Sequence, residues 1–445
     1  MKPGSDAKVR PWISRLWLAA ATTAFGLLLL FTPVRGGLEN LSYDLPFCLR
    51  PNRAVTHAVL VNLDEISHGK LQQRPDAAWD RALHAKLVNR LMEEGAKAIV
   101  FDIIFSGTET DSPASTAFAE AIAKSKRVIL AGNYTERETS RGEYMQEMPF
   151  TTSAADWGNA NFDSDPDFGI RKFFPDLEGL DALNGRTNVA WLPTAVARFL
   201  SGQEVFSSQD SSNRWFNFYG PPGTIPAISY YQALNPGDSP PGFYSNKVVF
   251  VGALQSADFS GKGKDEFRTP YARFGKGFAS GAEIHATATL NLLEKKWLTR
   301  LNFKVEVLLV LLVGAGASLG LMRLQPLRAT LAAVVASLLL ISVACFSVWT
   351  AGVWFAWVVL FLQIGVALFG SVVANSLRIY VMNRVLEQSL ATRLSPRVIK
   401  ELMKDPKLRE VGGSQHEISI LFSDIANFSR VSEIMSSDDL VKLLN

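Results

Sequence analysis

Four apolar stretches divide the chain, and between the first and second lie about 265 residues with the mixed pattern of a water-exposed domain. Leu16 to Val34 carries no charge. At 1.5 Å per residue it makes a helix of about 28 Å, enough to cross a hydrocarbon core. Val305 to Met322 is interrupted only by Glu306, close to one end. Ala329 to Leu377 is free of charge throughout. As one helix it would be about 73 Å long, more than twice a bilayer core, so it predicts two spans, 329–348 and 353–377. Trp349-Thr350-Ala351-Gly352 is the predicted hairpin, with an aromatic residue where interfacial anchors belong.

Charge flanking these stretches predicts their orientation. Lys2, Lys8, Arg10 and Arg15 precede the first against Asp6 alone. Arg323 and Arg328 share the loop between the second and third, and Arg378 and Arg384 follow the fourth. The positive-inside rule then places both termini in the cytoplasm and residues 35–302 outside. A cleaved signal peptide is the alternative for the first stretch. It is disfavoured because the apolar run is long and Thr32-Pro33-Val34-Arg35 makes a poor cleavage site. No span carries an ionisable residue at its centre, which argues against a transporter.

The outer region alternates strand and helix patterns. Ala58 to Leu63, Ala98 to Phe105, Arg127 to Ala131 and Lys247 to Gly252 read as strands; Ala77 to Met92, Ala117 to Ala123 and Ala282 to Leu293 read as helices. Gly95 follows the first helix as a terminator. The continuous apolar strands predict an α/β domain with a parallel sheet covered on both faces.

Composition adds three limits. Hydrophobic residues make up 48% of the chain and charged ones 20%, which requires long apolar blocks beside an ordinary polar domain. A net charge of +3 gives no reason to expect a nucleic-acid partner. Two cysteines, Cys48 and Cys345, provide no disulfide framework, though Cys48 is open to pairing between subunits.

Several constellations invite chemistry. Asp163-Ser164-Asp165-Pro166-Asp167-Phe168-Gly169 has the alternating acids of a calcium loop. Phe168 and Phe174 occupy the places where an EF-hand needs Gly and Glu, so a turn between Asn159–Phe162 and Ile170–Phe173 is expected. Asp64 and Asp102 end strands, where open α/β sheets bind ligands, but capping or core hydrogen bonds explain them equally. His57, His68, His84 and His285 lack metal-ligand spacing. No catalytic site is assigned outside the membrane, and no ligand is assigned to the outer domain.

Glu39-Asn40-Leu41-Ser42-Tyr43-Asp44, Asn62-Leu63-Asp64-Glu65, Gly95 to Asp102, Val249-Phe250-Val251-Gly252 and Gly281-Ala282-Glu283-Ile284-His285-Ala286 resemble the second type of the CHASE family of extracellular sensory domains. The resemblance covers roughly residues 36–300 and implies a sensor followed by three spans. The Ala257–Lys264 loop is longer and more basic than the family's usual pattern.

Beyond the last span, Ile379, Met382, Leu386, Leu390 and Leu394 keep helical spacing as far as Ser395-Pro396. A helix end and a dimerising transmission helix both fit. Glu417 to Asp424 reads as a strand delivering a carboxylate to its end, and Ser429 to Leu444 as a helix with a cap or break at Ser436-Ser437-Asp438-Asp439.

The run from Arg397 to Asn445 is similar to the opening of the α+β catalytic domain of class III nucleotide cyclases. That resemblance implies a dimeric receptor enzyme of the bacterial inner (plasma) membrane that converts ATP to cyclic AMP and pyrophosphate with Mg²⁺ or Mn²⁺. It implies that Asp424 and the Ile425 carbonyl bind the metals and that Phe428 and Ser429 lie beside the substrate phosphates. Ala426-Asn427 departs from the commoner Arg-Gly of that turn. The second metal Asp and the base-selecting residues of the family lie farther downstream, so residues 1–445 alone are expected to be inactive. The chain stops in mid-helix, so Asn445 is expected to be an arbitrary end within a longer protein. A guanylate cyclase and a non-catalytic sensor or dimerisation module remain the alternatives. A sensor kinase is disfavoured because no phospho-acceptor His motif follows the last span.

Overall fold

Alternation along the strands decides how the domain between the first two apolar helices is built. On β1 (Ala58–Leu63), Val59, Val61 and Leu63 enter one core while Ala58 and Leu60 enter the other. β2 (Ala98–Asp102), β3 (Val128–Gly132) and β10 (Val248–Ala253) divide the same way, so the sheet needs cover on both faces. The computed structural model describes residues 11–74, 77–105, 112–132, 134–135, 144–145, 149–174, 177–181, 186–203, 213–254, 265–391, 417 and 419–444. Residues 1–375 form one compact unit and 376–445 a second.

With β6 (Asp156–Asn159) and β9 (Ala227–Ser229), these strands form one parallel sheet in the order β6-β3-β2-β10-β1-β9. Helices α4 (Arg81–Glu93) and α5 (Pro113–Ser125) cover one face; α6 (Leu192–Ser201) and α8 (Gly281–Glu294) cover the other. The expected βαβαβ order and three-layer α/β architecture are therefore present. Local chemistry fixes the helix starts: Asp64 caps the short α3 (Glu65–Lys70), Asp80 caps α4, Ser112 caps α5 and Ser280 caps α8. Gly95 adopts φ +78 just past α4, the left-handed conformation that ends a helix. The one-turn α7 (Tyr230–Ala233) and the paired short strands β4 (Tyr134–Thr135) with β5 (Tyr144–Met145) and β7 (Leu177–Asp181) with β8 (Arg186–Val189) complete the domain.

Among the described residues, four helices are long and apolar enough to cross a membrane: α1 (Pro11–Phe31), α9 (Phe303–Leu321), α10 (Pro326–Phe346) and α11 (Trp357–Ala391). Their positions depart from expectation in two places. Val353-Trp354, expected to open the fourth span, instead forms β12, parallel to β11 (Thr299–Arg300). After Thr32-Pro33-Val34 the chain resumes at once as α2 (Arg35–Cys48), a helix that the low apolarity of Arg35–Asp44 disguised.

Close packing among the apolar helices depends on absent side chains. A Cβ on Gly314 would lie 2.7 Å from Gln363 Nε2 and 3.0 Å from Thr23 Cα, so α9 and α1 meet through glycine. Gln363 is buried between them and its Nε2 donates to the carbonyls of Thr22 and Val310, each at 3.2 Å. Polar residues also bind the base of the domain to the helix starts. Arg300 pairs with Glu39 of α2 and, at 2.7 Å, with the buried Glu306 of α9, whose Oε1 accepts the Ala356 N–H at 3.1 Å. Glu306 is thus a structural ion-pair partner.

In the second unit, Phe428–Ile434 forms α12 and Ser437–Leu444 forms α13. The expected break falls at Met435, which is extended, and Ser436 Oγ accepts the Asp439 N–H at 3.3 Å. The expected strand over Glu417–Asp424 is not formed: residues 417 and 419–424 are neither strand nor helix. A strand exists through its ladder partners, and none pairs with this segment among the described residues. The linker from residue 392 to 416, with Leu394, Ser395-Pro396 and the Arg397–Met403 helix expected there, lies outside the described residues.

Candidate functional site

The carboxyl edge of the parallel sheet, where open α/β sheets place ligands, holds Asp64 and Asp102 at the ends of β1 and β2. Geometry separates their roles. Asp64 Oδ1 accepts the Ser67 N–H at 2.8 Å and its Oδ2 accepts from Ser229 Oγ. Both oxygens are occupied in capping α3 and tying β9 to the sheet, so Asp64 is structural.

Asp102 is placed differently. Gly252 pairs with it on β10, and a Cβ on Gly252 would lie 2.7 Å from the Ala282 Cβ, so glycine lets α8 descend onto the strand ends. A Cβ on Gly281 would lie 2.7 Å from Asp102 Oδ2. His285, one turn along α8, brings Nε2 to 3.6 Å from Asp102 Oδ1, too far for a hydrogen bond. The imidazole is fully buried and stacks on Phe162 with ring centroids 4.3 Å apart. The Ala160 backbone interacts with the ring, but neither nitrogen makes a hydrogen bond of good geometry among the described residues.

Burial first, and then the charge of Asp265, push Asp102 up to about 7. Burial pushes His285 down to about 3. The pair is therefore a neutral imidazole beside a carboxyl raised well above the usual carboxylate range. Leaving a buried polar group unpaired costs about 1–3 kcal/mol, which a hydrogen-bonding ligand would relieve. The side-chain exposure of Asp102, 16%, keeps the pair within reach of solvent. Asp102 and His285 are the candidate ligand-sensing pair.

Several other buried titratable groups of the domain already have partners. His84 bonds to the Tyr230 hydroxyl at 2.7 Å in the aromatic core, and burial holds it down at about 3. Glu283 is pushed up to about 7 by burial, against the backbone N–H groups of residues 223–225, and accepts from the Gly223 N–H at 2.9 Å. Asp165 and Asp167 of the Asp163–Gly169 loop serve Arg171. Its guanidinium forks onto both oxygens of Asp44 at 2.9 Å and reaches Asp165 at 2.9 Å and Asp167 at 2.7 Å. Arg273 Nε adds a contact to Asp44 at 3.1 Å.

These shifts give a testable pH dependence. His84 and His285 bind protons only when unfolded between about pH 5 and 6, whereas Asp102 and Glu283 bind them only when folded, so the four contributions cancel there. Asp102→Asn removes one folded-state proton. Relative to the parent it should gain stability as pH rises through this window, by about 1.4 kcal/mol per pH unit. Thermal unfolding of the solubilised protein at pH 5 and 6 measures this; parallel curves for parent and variant would disprove the burial of a protonated Asp102.

The residues expected at the cytoplasmic output site are gathered in one turn. Asp424 is exposed and its Oδ1 accepts the Ile425 N–H at 2.9 Å. The Ile425 carbonyl accepts the Phe428 N–H at 3.1 Å, and Asn427 takes φ +62 to turn the chain into α12 at Phe428 and Ser429. Asp424 and Ile425 supply two hard oxygen donors suited to Mg²⁺ or Mn²⁺, one a carboxylate and one a carbonyl. No group of three or more His, Cys, Asp or Glu side chains arranged for a metal occurs among the described residues.

Sequence reasoning picked out Asp102 but missed its partner. The cue was present: His285 stands one turn after the Ser280 cap and Gly281, on the helix that must cross the strand ends. Cys48 and Cys345 are both free thiols. Among known protein families, the CHASE2 domain matches residues 19–320, about two thirds of the chain. No curated protein and no solved structure matches it.

Proposed function

The chain belongs to the CHASE2 domain family, and from that premise we propose that it is the sensing part of a transmembrane receptor whose cytoplasmic output is cyclic-nucleotide synthesis. The observation that carries this reading is the direct bonding of the domain's base to the apolar helices. Glu39, Arg300, Glu306 and the Ala356 N–H form one chain of contacts from α2 through β11 to the starts of α9 and α11. A ligand that shifts α8 against the sheet has a mechanical route to the helices through β11, which follows α8 by a few residues.

In this reading the four apolar helices span a bacterial inner membrane, with the domain outside and both termini inside. α11 runs 35 residues, or about 52 Å, longer than a span requires, and would carry the signal inward in a homodimer. The output would be an adenylate cyclase that acts on ATP. Asp424 and the Ile425 carbonyl would hold Mg²⁺ or Mn²⁺, with Phe428 and Ser429 near the phosphates. When bound, the metals would lower the pKa of the attacking ribose hydroxyl and neutralise phosphate charge. Support for the cyclase output is the motif run from Arg397 to Asn445 alone. Guanylate cyclisation uses the same Asp424 and is separated from it by the nucleotide supplied.

The test is a nucleotide assay on membranes containing this receptor joined to its complete output domain. Cyclic AMP formed from ATP with Mn²⁺ supports the reading, and cyclic GMP from GTP supports the guanylate alternative. Neither product, from a protein shown to be inserted and dimeric, would leave a sensor and dimerisation module.

A further inference from the structure

A cavity of about 550 Å³ opens at the base of the CHASE2 domain, between the end of α8 and the bend that joins α10 to α11. Four cationic side chains line it: Arg50, Arg53, Lys295 and Lys296. The segment Val348 to Gly352 and Trp297 also line it. This bend is fixed against the domain, since Trp349 Nε1 donates to the Pro46 carbonyl at 3.0 Å and Gly352 accepts the Thr299 N–H at 2.8 Å. The cavity is thus a built feature of the junction.

Its charge is not balanced from within. Glu294 is shared by Lys296 at 3.1 Å and, more distantly, Arg53 at 3.9 Å. Arg50 is half-buried and bonds to the neutral Asn217 Oδ1 at 2.6 Å. Burial and then the neighbouring Arg53 charge lower the Arg50 pKa, the mark of like charges held together. Lys295 forms no ion pair among the described residues, and it occupies the left-handed position that ends α8, at φ 54. A glycine there would be unstrained. Here a lysine accepts the strain and extends a charge to the cavity wall.

Like charges converging on a concavity attract an anion, and guanidinium groups match phosphate oxygens in geometry. Indole rings at the same level suit the boundary between hydrocarbon and water. We propose that this cavity binds a phosphate-bearing ligand at the outer surface of the membrane, either an anionic lipid headgroup or a soluble phosphate. The charge and shape of the cavity stand independently of the cyclase reading. Only the location at a membrane surface rests on α10 and α11 being spans. An occupant would bridge the domain and the α10–α11 bend.

The experiment uses the whole chain purified in detergent. Native mass spectrometry with added phosphatidylglycerol or phosphatidylcholine measures lipid retention, and thermal unfolding in phosphate or chloride at equal ionic strength measures soluble-anion binding. Selective retention of phosphatidylglycerol assigns the site to a lipid headgroup; stabilisation by inorganic phosphate assigns it to a soluble ligand. Arg50→Gln should weaken the binding about tenfold, the loss of one charge-assisted contact.

Lys295→Gly separates binding from folding. Relief of the left-handed strain should leave the unliganded protein as stable as the parent or more so, while anion binding falls. A structural role would move both quantities together. Absence of both lipid selectivity and phosphate stabilisation, or Lys295→Gly binding equal to the parent's, overturns the proposal.

Discussion

Arg171→Ala is expected to destabilise the domain by about 3–5 kcal/mol and to open it to proteolysis. Arg171 is 3% exposed and Asp44 is fully buried. The guanidinium is the common partner of three carboxylates: Asp44, Asp165 and Asp167. Burial alone would lower its pKa, but the hydrogen bonds it donates to these acids raise it, so the charge is secure in the folded state. Truncation strands Asp44 with only Arg273, itself 41% exposed on its side chain. Breaking a buried pair from one side costs about 3–5 kcal/mol, a large share of a stability of about 5–15 kcal/mol. Limited proteolysis of solubilised protein should show the domain cleaved rapidly in the variant and protected in the parent. Equal protection would mean that Arg273 alone compensates Asp44.

The second large effect concerns the output. In a chain carrying the complete catalytic domain, Asp424→Ala should remove nearly all cyclase activity, a fall of about a thousandfold or more, comparable to losing a preorganised charge at the reacting phosphate. Asp424 is exposed and, among the described residues, its side chain bonds only to its neighbour's N–H, so membrane insertion and the amount of protein should not change. Asp424→Asn keeps that hydrogen bond and loses the charge. Equal inactivity of Asn and Ala variants would identify charge as the requirement; retained activity with Mn²⁺ and ATP in either would remove Asp424 from the metal site.

The layered sheet was legible because its central strands are nearly continuous apolar runs and α4, α5 and α8 keep helical apolar spacing. The four long apolar helices were legible from charge-free length. Two kinds of feature were not. β6 and β9 are short and carry polar residues, Asp156 and Ser229 among them, so they acquire strand structure from pairing with β3 and β1. α2 carries Glu39, Ser42 and Asp44 in a segment that reads as polar linker, and it is held as a helix by long-range contacts, Arg171 to Asp44 and Tyr43 to the Phe216 carbonyl.

The same distinction applies to the sites. Asp102 was visible as an acid at a strand end, but its pairing with His285 depends on Gly252 and Gly281 allowing α8 to approach, a matter of three-dimensional clearance. The Asp163–Gly169 loop showed the opposite case, an acidic motif whose purpose became clear only from Arg171. The expected strand before Asp424 failed because strand propensity at Ile420 and Phe422 cannot substitute for a neighbouring ladder.

Orientation of the chain in the membrane is the claim on which the receptor reading depends. The most direct measurement is labelling of intact spheroplasts with a membrane-impermeant maleimide, using single cysteines in a background where Cys48 and Cys345 are replaced. Asp238→Cys lies on an exposed turn of the CHASE2 domain, and Leu327→Cys lies at the exposed start of α10. Labelling of Asp238→Cys in intact cells, with Leu327→Cys labelled only after the membrane is opened, is the predicted result. Labelling of Leu327→Cys from outside, or protection of Asp238→Cys until lysis, would contradict a sensor that faces outward.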